Sequence, residues 1–254
     1  MSTPVCVIRE PDFVASVADA LQYIAVYHPP SFVRALAESY RAEESPAARD
    51  AIAQILINSK MAAYGRRPIC QDTGAVNVFV KIGMGARIDS ARPVGELVND
   101  AVRLAYTNPN NPLRASILRD PLFDRTNTRD NTPAVVHFDM IAGNRVTVTV
   151  AAKGGGSENK AKFANLDPAA SVADWVVQTT ETLGAGWCPP GLLGIGVGGS
   201  AEKAMCMAKE AHVGTPAARA IVEAGGNAHR DLRSGQRAWR RRAGPRRADD
   251  GSGH

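Results

Sequence analysis

The chain has 254 residues, 44% of them apolar, and a formal net charge of +5, enough apolar material to bury a real core and to exclude wholesale disorder. No run approaches the roughly 20 apolar residues of a membrane span, and "MSTPVCVIREPDF" lacks the apolar stretch of a secretory signal, so a cytoplasmic protein is expected. Cys6, Cys70, Cys188 and Cys206 show no paired spacing and read as free thiols or metal ligands rather than as a disulfide framework.

Along the chain, "EPDFVASVADALQYIAVYH" places Phe13, Val14, Val17, Ala20, Leu21 and Ile24 at helical spacing, with acids in its first turn. A second helix is expected after Pro29 and Pro30, with Phe32, Val33, Leu36 and Tyr40 inward. A third starts near Ser45 and Pro46 and runs toward Tyr64, with Gly65 as its stop. "VNVFVKI" has the β-branched, apolar make-up of a buried strand, and "VGELVNDAVRLAY" returns to helical period. The polar stretch from Thr107 to Asn131 is long for a connection without periodicity, which points to a working loop. "AVVHFDMIAGNRVTVTVAAK" reads as a hairpin turning at Ala142-Gly143-Asn144. After it come a helix with Asp167 as cap and Gly184 as stop, a short strand in "LLGIGVGG", and a helix in "SAEKAMCMAKEA" capped by Ser200. An α/β fold follows, a mixed sheet surrounded by helices.

Two glycine clusters stand out. "KGGGSENK", residues 153–160, lets backbone N–H groups approach an anion closely but lacks the phosphate-loop pattern. Taken alone it fits a flexible turn as well as an oxyanion loop. Gly194, Gly196 and Gly199 satisfy G-x-G-x-x-G, with Glu223 downstream, yet the strand that should precede them contains Pro189-Pro190. Adjacent prolines cannot form a central parallel strand, which argues against dinucleotide binding. Of the cysteines, Cys70 and Cys188 fall in connections where sites gather. Cys206 lies inside a helix as an apolar filler, and Cys6 in a frayable terminus. On their own, Asp72-Thr73-Gly74 would be a turn, Arg114 a solvated charge and Gln71 a surface amide.

In this order, "RPICQDTG" with "VFVKIG" behind it, "NPLRAS", "KGGGSENK", "WCPPG" and "GIGVGGSAEKAM" resemble the N-terminal domain of the class I, iron-sulfur fumarase family, which includes the tartrate dehydratase alpha subunit. The resemblance implies a [4Fe-4S] cluster held by three cysteines with one iron open to substrate, Cys70 and Cys188 being two of the ligands. It places Gln71, Asp72, Arg114 and Gly156 around a C4 dicarboxylate. Arg114 then grips a substrate carboxylate, Gly156 offers a backbone N–H, and Asp72 takes part in proton transfer as the catalytic group. In that family a second domain supplies the third cysteine and further substrate-binding groups, and this sequence does not contain it. The chain alone is therefore expected to bind the cluster poorly and to lack hydratase activity. Its expected partners are a second copy, as in a homodimer, or a separate C-terminal (beta) subunit. The alternatives are an L-tartrate dehydratase alpha subunit and a non-catalytic, partner-binding fragment.

The resemblance runs from about Asp12 to Ala211, so residues 1–212 are expected to form the family domain and residues 213–254 a tail outside it. From Gly214 to His254 there are nine Arg, no Lys and four acids, which accounts for the whole net charge of +5 and leaves the body balanced. Rich in Arg, Ala and Gly and poor in large apolar side chains, the tail has the composition of disorder. Its first reading is the product of a frame break in a GC-rich gene. A basic arm is the second, although Trp239 is its one stacking aromatic and nucleic-acid binding is not expected. A natural short subunit that meets a partner chain is the third.

Overall fold

The computed structural model describes residues 5–187, 191–213 and 220–222. It has helices around a mixed sheet, the α/β class expected from sequence. The tail reading falls almost wholly outside the described residues.

Strand β1 (Cys6–Arg9) leads directly into helix α1 (Glu10–Val26), which is followed by α2 (Pro30–Ala42) and α3 (Pro46–Gly65). Proline opens α2 and α3, where its missing N–H costs nothing, and Ser45 caps α3 by accepting from the Ala48 N–H. Gly65 is the last helical residue of α3; the left-handed position that ends it is Arg66, at φ 48°. Strand β2 (Ala75–Gly83), strand β3 (Ala86–Asp89) and helix α4 (Val94–Tyr106) come next. β1 and β3 pair in parallel, so Cys6 opens a strand rather than a frayed end.

The core forms where β2 meets α1 and α4. Val76, Val78 and Val80 point to one side of the sheet, against Phe13, Val17 and Leu21 of α1 and Leu97, Val98, Ala101 and Val102 of α4. Val78, Val80, Leu97, Val98, Ala101 and Val102 are 0% exposed. Burying six such side chains contributes on the order of 10 kcal/mol before conformational entropy is set against it. On the other side of β2, Phe79 stacks on His137 at 4.6 Å, and Lys81 pairs with Glu210 of α7 (Ala201–Val213).

The expected hairpin is not formed. Strands β4 (Val135–Ile141) and β5 (Val146–Lys153) follow one another in the chain, but β2 lies between them, parallel to β4 and antiparallel to β5. The connection instead passes over the end of β2. Gly83 N–H donates to Arg145 O, Met84 N–H to Ile141 O and Gly85 N–H to Gly143 O. A Cβ on Gly83 would lie 2.5 Å from the Gly143 oxygen, so this crossing needs a bare backbone. The middle of β2, from Val76 to Val80, is buried on both faces, and the strand gains ladder bonds along both edges.

Beyond β5 come a single helical turn, α5 (Gly155–Glu158), helix α6 (Val172–Glu181), a 3-10 turn (Ala185–Trp187), strand β6 (Ile195–Val197), α7, and β7 (Ala220–Val222) parallel to β6. The cap of α6 is Ser171, which accepts from the Asp174 N–H at 3.2 Å; Asp167 lies in the preceding turn and closes it through its carbonyl. Gly194 and Gly196 have a packing role: a Cβ at either would overlap backbone atoms of α7, at Ala208 and Ala204. Their spacing reflects the strand–helix contact, and Glu223 lies outside the described residues. Among the described residues no helix is long and apolar enough to cross a membrane.

Candidate functional site

Three segments converge at the N-terminal end of β2. The first, Cys70–Gly74, leaves α3 and turns into β2. Its turn is closed by Asp72, whose Oδ1 accepts from the Gly74 N–H at 3.2 Å, and by the Cys70 sulfur, which accepts from the Asp72 N–H at 3.4 Å. Cys70 also donates to Gln71 Oε1 at 3.4 Å, and both residues are exposed.

The second segment is the glycine turn after β5. Gly155 N–H donates to Asp72 Oδ2 at 2.7 Å, so the carboxylate is held by backbone donors on both sides. A Cβ on Gly154 would come within 3.0 Å of the same oxygen. Gly156 packs on the Gly186 carbonyl, where a Cβ would stand 2.8 Å away. The 3-10 turn that leads to Cys188 thus lies against the glycine turn that holds Asp72. Cys188 itself is outside the described residues.

The third segment is the loop around Arg114. The Thr73 hydroxyl donates to the Arg114 carbonyl, fixing this loop to the first segment. The Arg114 side chain is exposed, and its guanidinium has no hydrogen-bond or ion-pair partner among the described residues. Cys70, Gln71, Asp72, Arg114 and Gly156 are therefore brought to one end of the sheet. Cys206 sits instead on α7, half-buried, with its sulfur 3.9 Å from His137 Nδ1 of β4. No group of three or more His, Cys, Asp or Glu able to hold a metal ion gathers among the described residues.

Sequence reading missed the polar groups behind these loops. Tyr106 OH donates to the Thr73 carbonyl at 2.8 Å, and burial pushes its phenol up to about 12, so it stays a donor through the neutral range. Asn131 bonds both the Gly74 carbonyl and the Ser116 N–H. An Asn two positions before a proline signals a turn; nothing local in the sequence signals its distant partners.

A second charged group lies on the far side of the glycine turn. Glu158 Oε1 accepts from Lys209 of α7, while its buried Oε2 has no hydrogen bond among the described residues and stands 3.8 Å from Lys153 Nζ. Lys153 donates to Ser157 Oγ at 2.5 Å. Both lysines and His212 border a cavity of about 630 Å³ between α6, β6 and α7. Burial, then Lys153 and Lys209, hold the His212 imidazole below its ordinary 6.5, and burial alone does so for His28. With both rings neutral in the fold, the unfolded chain takes up more protons as pH falls through 6.5. Their contribution to stability is thus full above that value and lost below it, toward the lowered folded values. The thermal midpoint is expected to drop from about pH 7.5 to about pH 5.5, with a shallower slope for the His28→Gln, His212→Gln double variant. Calorimetry at the two pH values checks this; an unchanged slope would show that other groups set it.

The sequence profile of the fumarate hydratase (Fumerase) family matches residues 14–229. The chain belongs to this family. Its relatives include a Methanocaldococcus jannaschii protein assigned as an L(+)-tartrate dehydratase alpha subunit, 30% identical over 201 residues, or 77% of this chain and 70% of that one. The L(+)-tartrate dehydratase alpha subunit of Escherichia coli K12 is 29% identical over 202 residues, covering 77% of this chain and 65% of the relative. The anaerobic class I fumarate hydratase of E. coli K12 is 30% identical over 155 residues, covering 59% of this chain but 28% of that enzyme. This Fumerase chain therefore matches most of the length of the alpha subunits and less than a third of the fumarate hydratase. The family and these relatives point to hydro-lyase chemistry. The profile match also runs on to residue 229, past the point where the composition changes.

Proposed function

We propose that this Fumerase chain is the N-terminal half of a hydro-lyase acting on a C4 dicarboxylate, with fumarate and L-malate as the leading pair. The observation that carries this reading is the convergence on Asp72: a carboxylate oriented by two backbone N–H groups, its loop tied to that of Arg114, whose guanidinium is unengaged among the described residues. Arg114 suits a bidentate grip on one substrate carboxylate, with Gln71 and the Gly156 N–H reading the remaining oxygens. In the dehydration direction Asp72 takes the proton from C3 of malate. The C2–O bond breaks as the C2–C3 double bond forms, and the departing hydroxide and the proton taken up by Asp72, passed on directly or through solvent, together make up the water released. Hydration runs the same steps in reverse.

The thiol of Cys70 fits an iron-sulfur centre in kind, being exposed and already accepting a backbone N–H, as a thiolate ligand does. Cys70 and Cys188 would hold the cluster from this chain. When bound, an open iron supplies Lewis-acid assistance to departure of the hydroxyl. A third ligand from a C-terminal partner completes the set, either as a separate beta subunit or within a larger dimeric assembly.

L-tartrate dehydration is the second reading. It is favoured by the match to alpha subunits over 70% and 65% of their lengths. Anaerobic reconstitution with iron and sulfide, with and without the C-terminal partner half, tests both. The expected outcome is a poorly retained cluster and no turnover for the chain alone, with turnover once the partner is supplied. The substrate that turns over faster decides between fumarate and tartrate. A stable four-iron cluster and malate formation by the chain alone would overturn the need for a partner. No turnover of either substrate by the assembled pair would overturn the hydro-lyase reading.

A further inference from the structure

Asn131 is 0% exposed, and burying an unpaired primary amide is costly. Here both ends of the amide are engaged. Nδ2 donates to the Gly74 carbonyl at 2.8 Å, and Oδ1 accepts from the Ser116 N–H at 2.9 Å. One side chain thus bridges the end of the Cys70–Gly74 loop and the loop that carries Arg114. The Thr73 hydroxyl makes a second, parallel bridge to the Arg114 carbonyl.

Both bridges lead back to the core through α4. Tyr106, at the end of that helix, donates to the Thr73 carbonyl. Arg103, one turn earlier, holds Asp130 at 2.9 Å, and Asn99 accepts from the Ala134 N–H at 2.9 Å. These contacts clamp the segment on either side of Asn131, whose φ of 63° is a left-handed conformation that Asn tolerates better than most residues. Both hydrogen-bond partners of the Asn131 amide are main-chain groups, which an apolar side chain at 131 would leave without this bond. What the polar network adds is a defined relative placement of the two loops.

We propose that Asn131, with Tyr106 and Thr73, forms a positioning unit that holds Asp72 and Arg114 in fixed register. This rests on the hydro-lyase reading, in which both residues serve one substrate. None of the three needs to touch the substrate; they set the spacing between groups that do.

The test uses the full chain and four variants. Asn131→Asp keeps the acceptor for Ser116 N–H and the tolerance of a left-handed backbone but offers the Gly74 carbonyl no donor. Thr73→Val removes the parallel bridge and Thr73→Ser restores it. Val98→Ala removes core volume from α4 without touching the network, and so serves as a purely destabilising control. Hydrogen exchange read by mass spectrometry is expected to rise about tenfold over residues 72–75 and 114–117 in Asn131→Asp and Thr73→Val, with α1 unchanged and Thr73→Ser resembling the parent. Affinity for L-malate or L-tartrate, followed by ligand-observed NMR, is expected to weaken about tenfold or more in the same two variants and not in Val98→Ala.

Exchange that rises equally over α1 and β2, or affinity that tracks global stability in Val98→Ala as well, would overturn the proposal. If the parent chain binds neither dicarboxylate, the substrate reading of the isolated chain fails, and the exchange pattern with the Thr73→Ser rescue decides the positioning role by itself. Should Asn131→Asp not fold, Tyr106→Phe, which removes a single hydroxyl, carries the same comparison over residues 72–75.

Discussion

Gly74→Ala is expected to cost about 2–5 kcal/mol of stability, combining the penalty of a left-handed backbone with that of overpacking. Gly74 has φ 75°, and a Cβ there would stand 2.5 Å from the Lys153 carbonyl carbon and 2.7 Å from its nitrogen and oxygen. Those atoms belong to the end of β5, which cannot retreat without opening its ladder with β2. The same residue donates to Asp72 and accepts from Asn131, so the damage reaches the site directly. Two other glycines separate the contributions. Gly143 has φ 100° but no atom within 4 Å of a built Cβ, so alanine there should cost only the backbone term, about 1–2 kcal/mol. Gly95 lies in the first turn of α4, where a Cβ would meet nothing within 4 Å, and alanine should stabilise by about 0.5 kcal/mol. Urea midpoints for the three variants check the order. A Gly74→Ala protein no less stable than Gly143→Ala would mean that β5 yields where the packing indicates it cannot.

The contrast among these glycines shows what a sequence conveys and what it withholds. Elements with a long period were legible: α1, α3 and α4 run close to their expected bounds because apolar spacing and terminal prolines are local properties. Strands β1 and β3 were not, since four residues with alternate burial carry too short a pattern. The order β4-β2-β5 was misread as a hairpin because adjacency in sequence favours pairing neighbours, whereas β2, buried on both faces along its middle, takes the central place and pairs along both edges. At the site, Cys70 through Gly74 and the glycine turn stand out as motifs. Their mutual contact, Asp72 on the Gly155 N–H, is a relation between residues 83 positions apart. Asn131 and Tyr106 belong wholly to this second kind. Each is ordinary in its own segment and acquires a role only through distant backbone atoms that the fold brings to it.

On the proposed hydro-lyase reading, Asp72→Asn is the substitution expected to cost most in function, lowering kcat for hydration or dehydration by about 10²–10⁴-fold in the assembly with the proposed C-terminal partner. The carboxylate now presents an acceptor to each of two N–H groups, Gly74 to Oδ1 and Gly155 to Oδ2. An amide can satisfy only one of them and must turn its NH₂ toward the other donor. The lost backbone contact should cost about 1 kcal/mol of stability, well short of unfolding the chain. The chemical loss is larger because an amide has no basicity with which to take the C3 proton. KM should change much less than kcat, since in this reading Arg114, Gln71 and the Gly156 N–H carry most of the ground-state binding. Exchange of the malate C3 proton with deuterated solvent separates the two effects: it should stop in Asp72→Asn even where substrate still binds. Turnover within about tenfold of the parent would remove Asp72 from proton transfer and leave it as the tie between two loops. In that case the base must come from the partner half, and this chain would contribute only the grip on the dicarboxylate and the thiols around it.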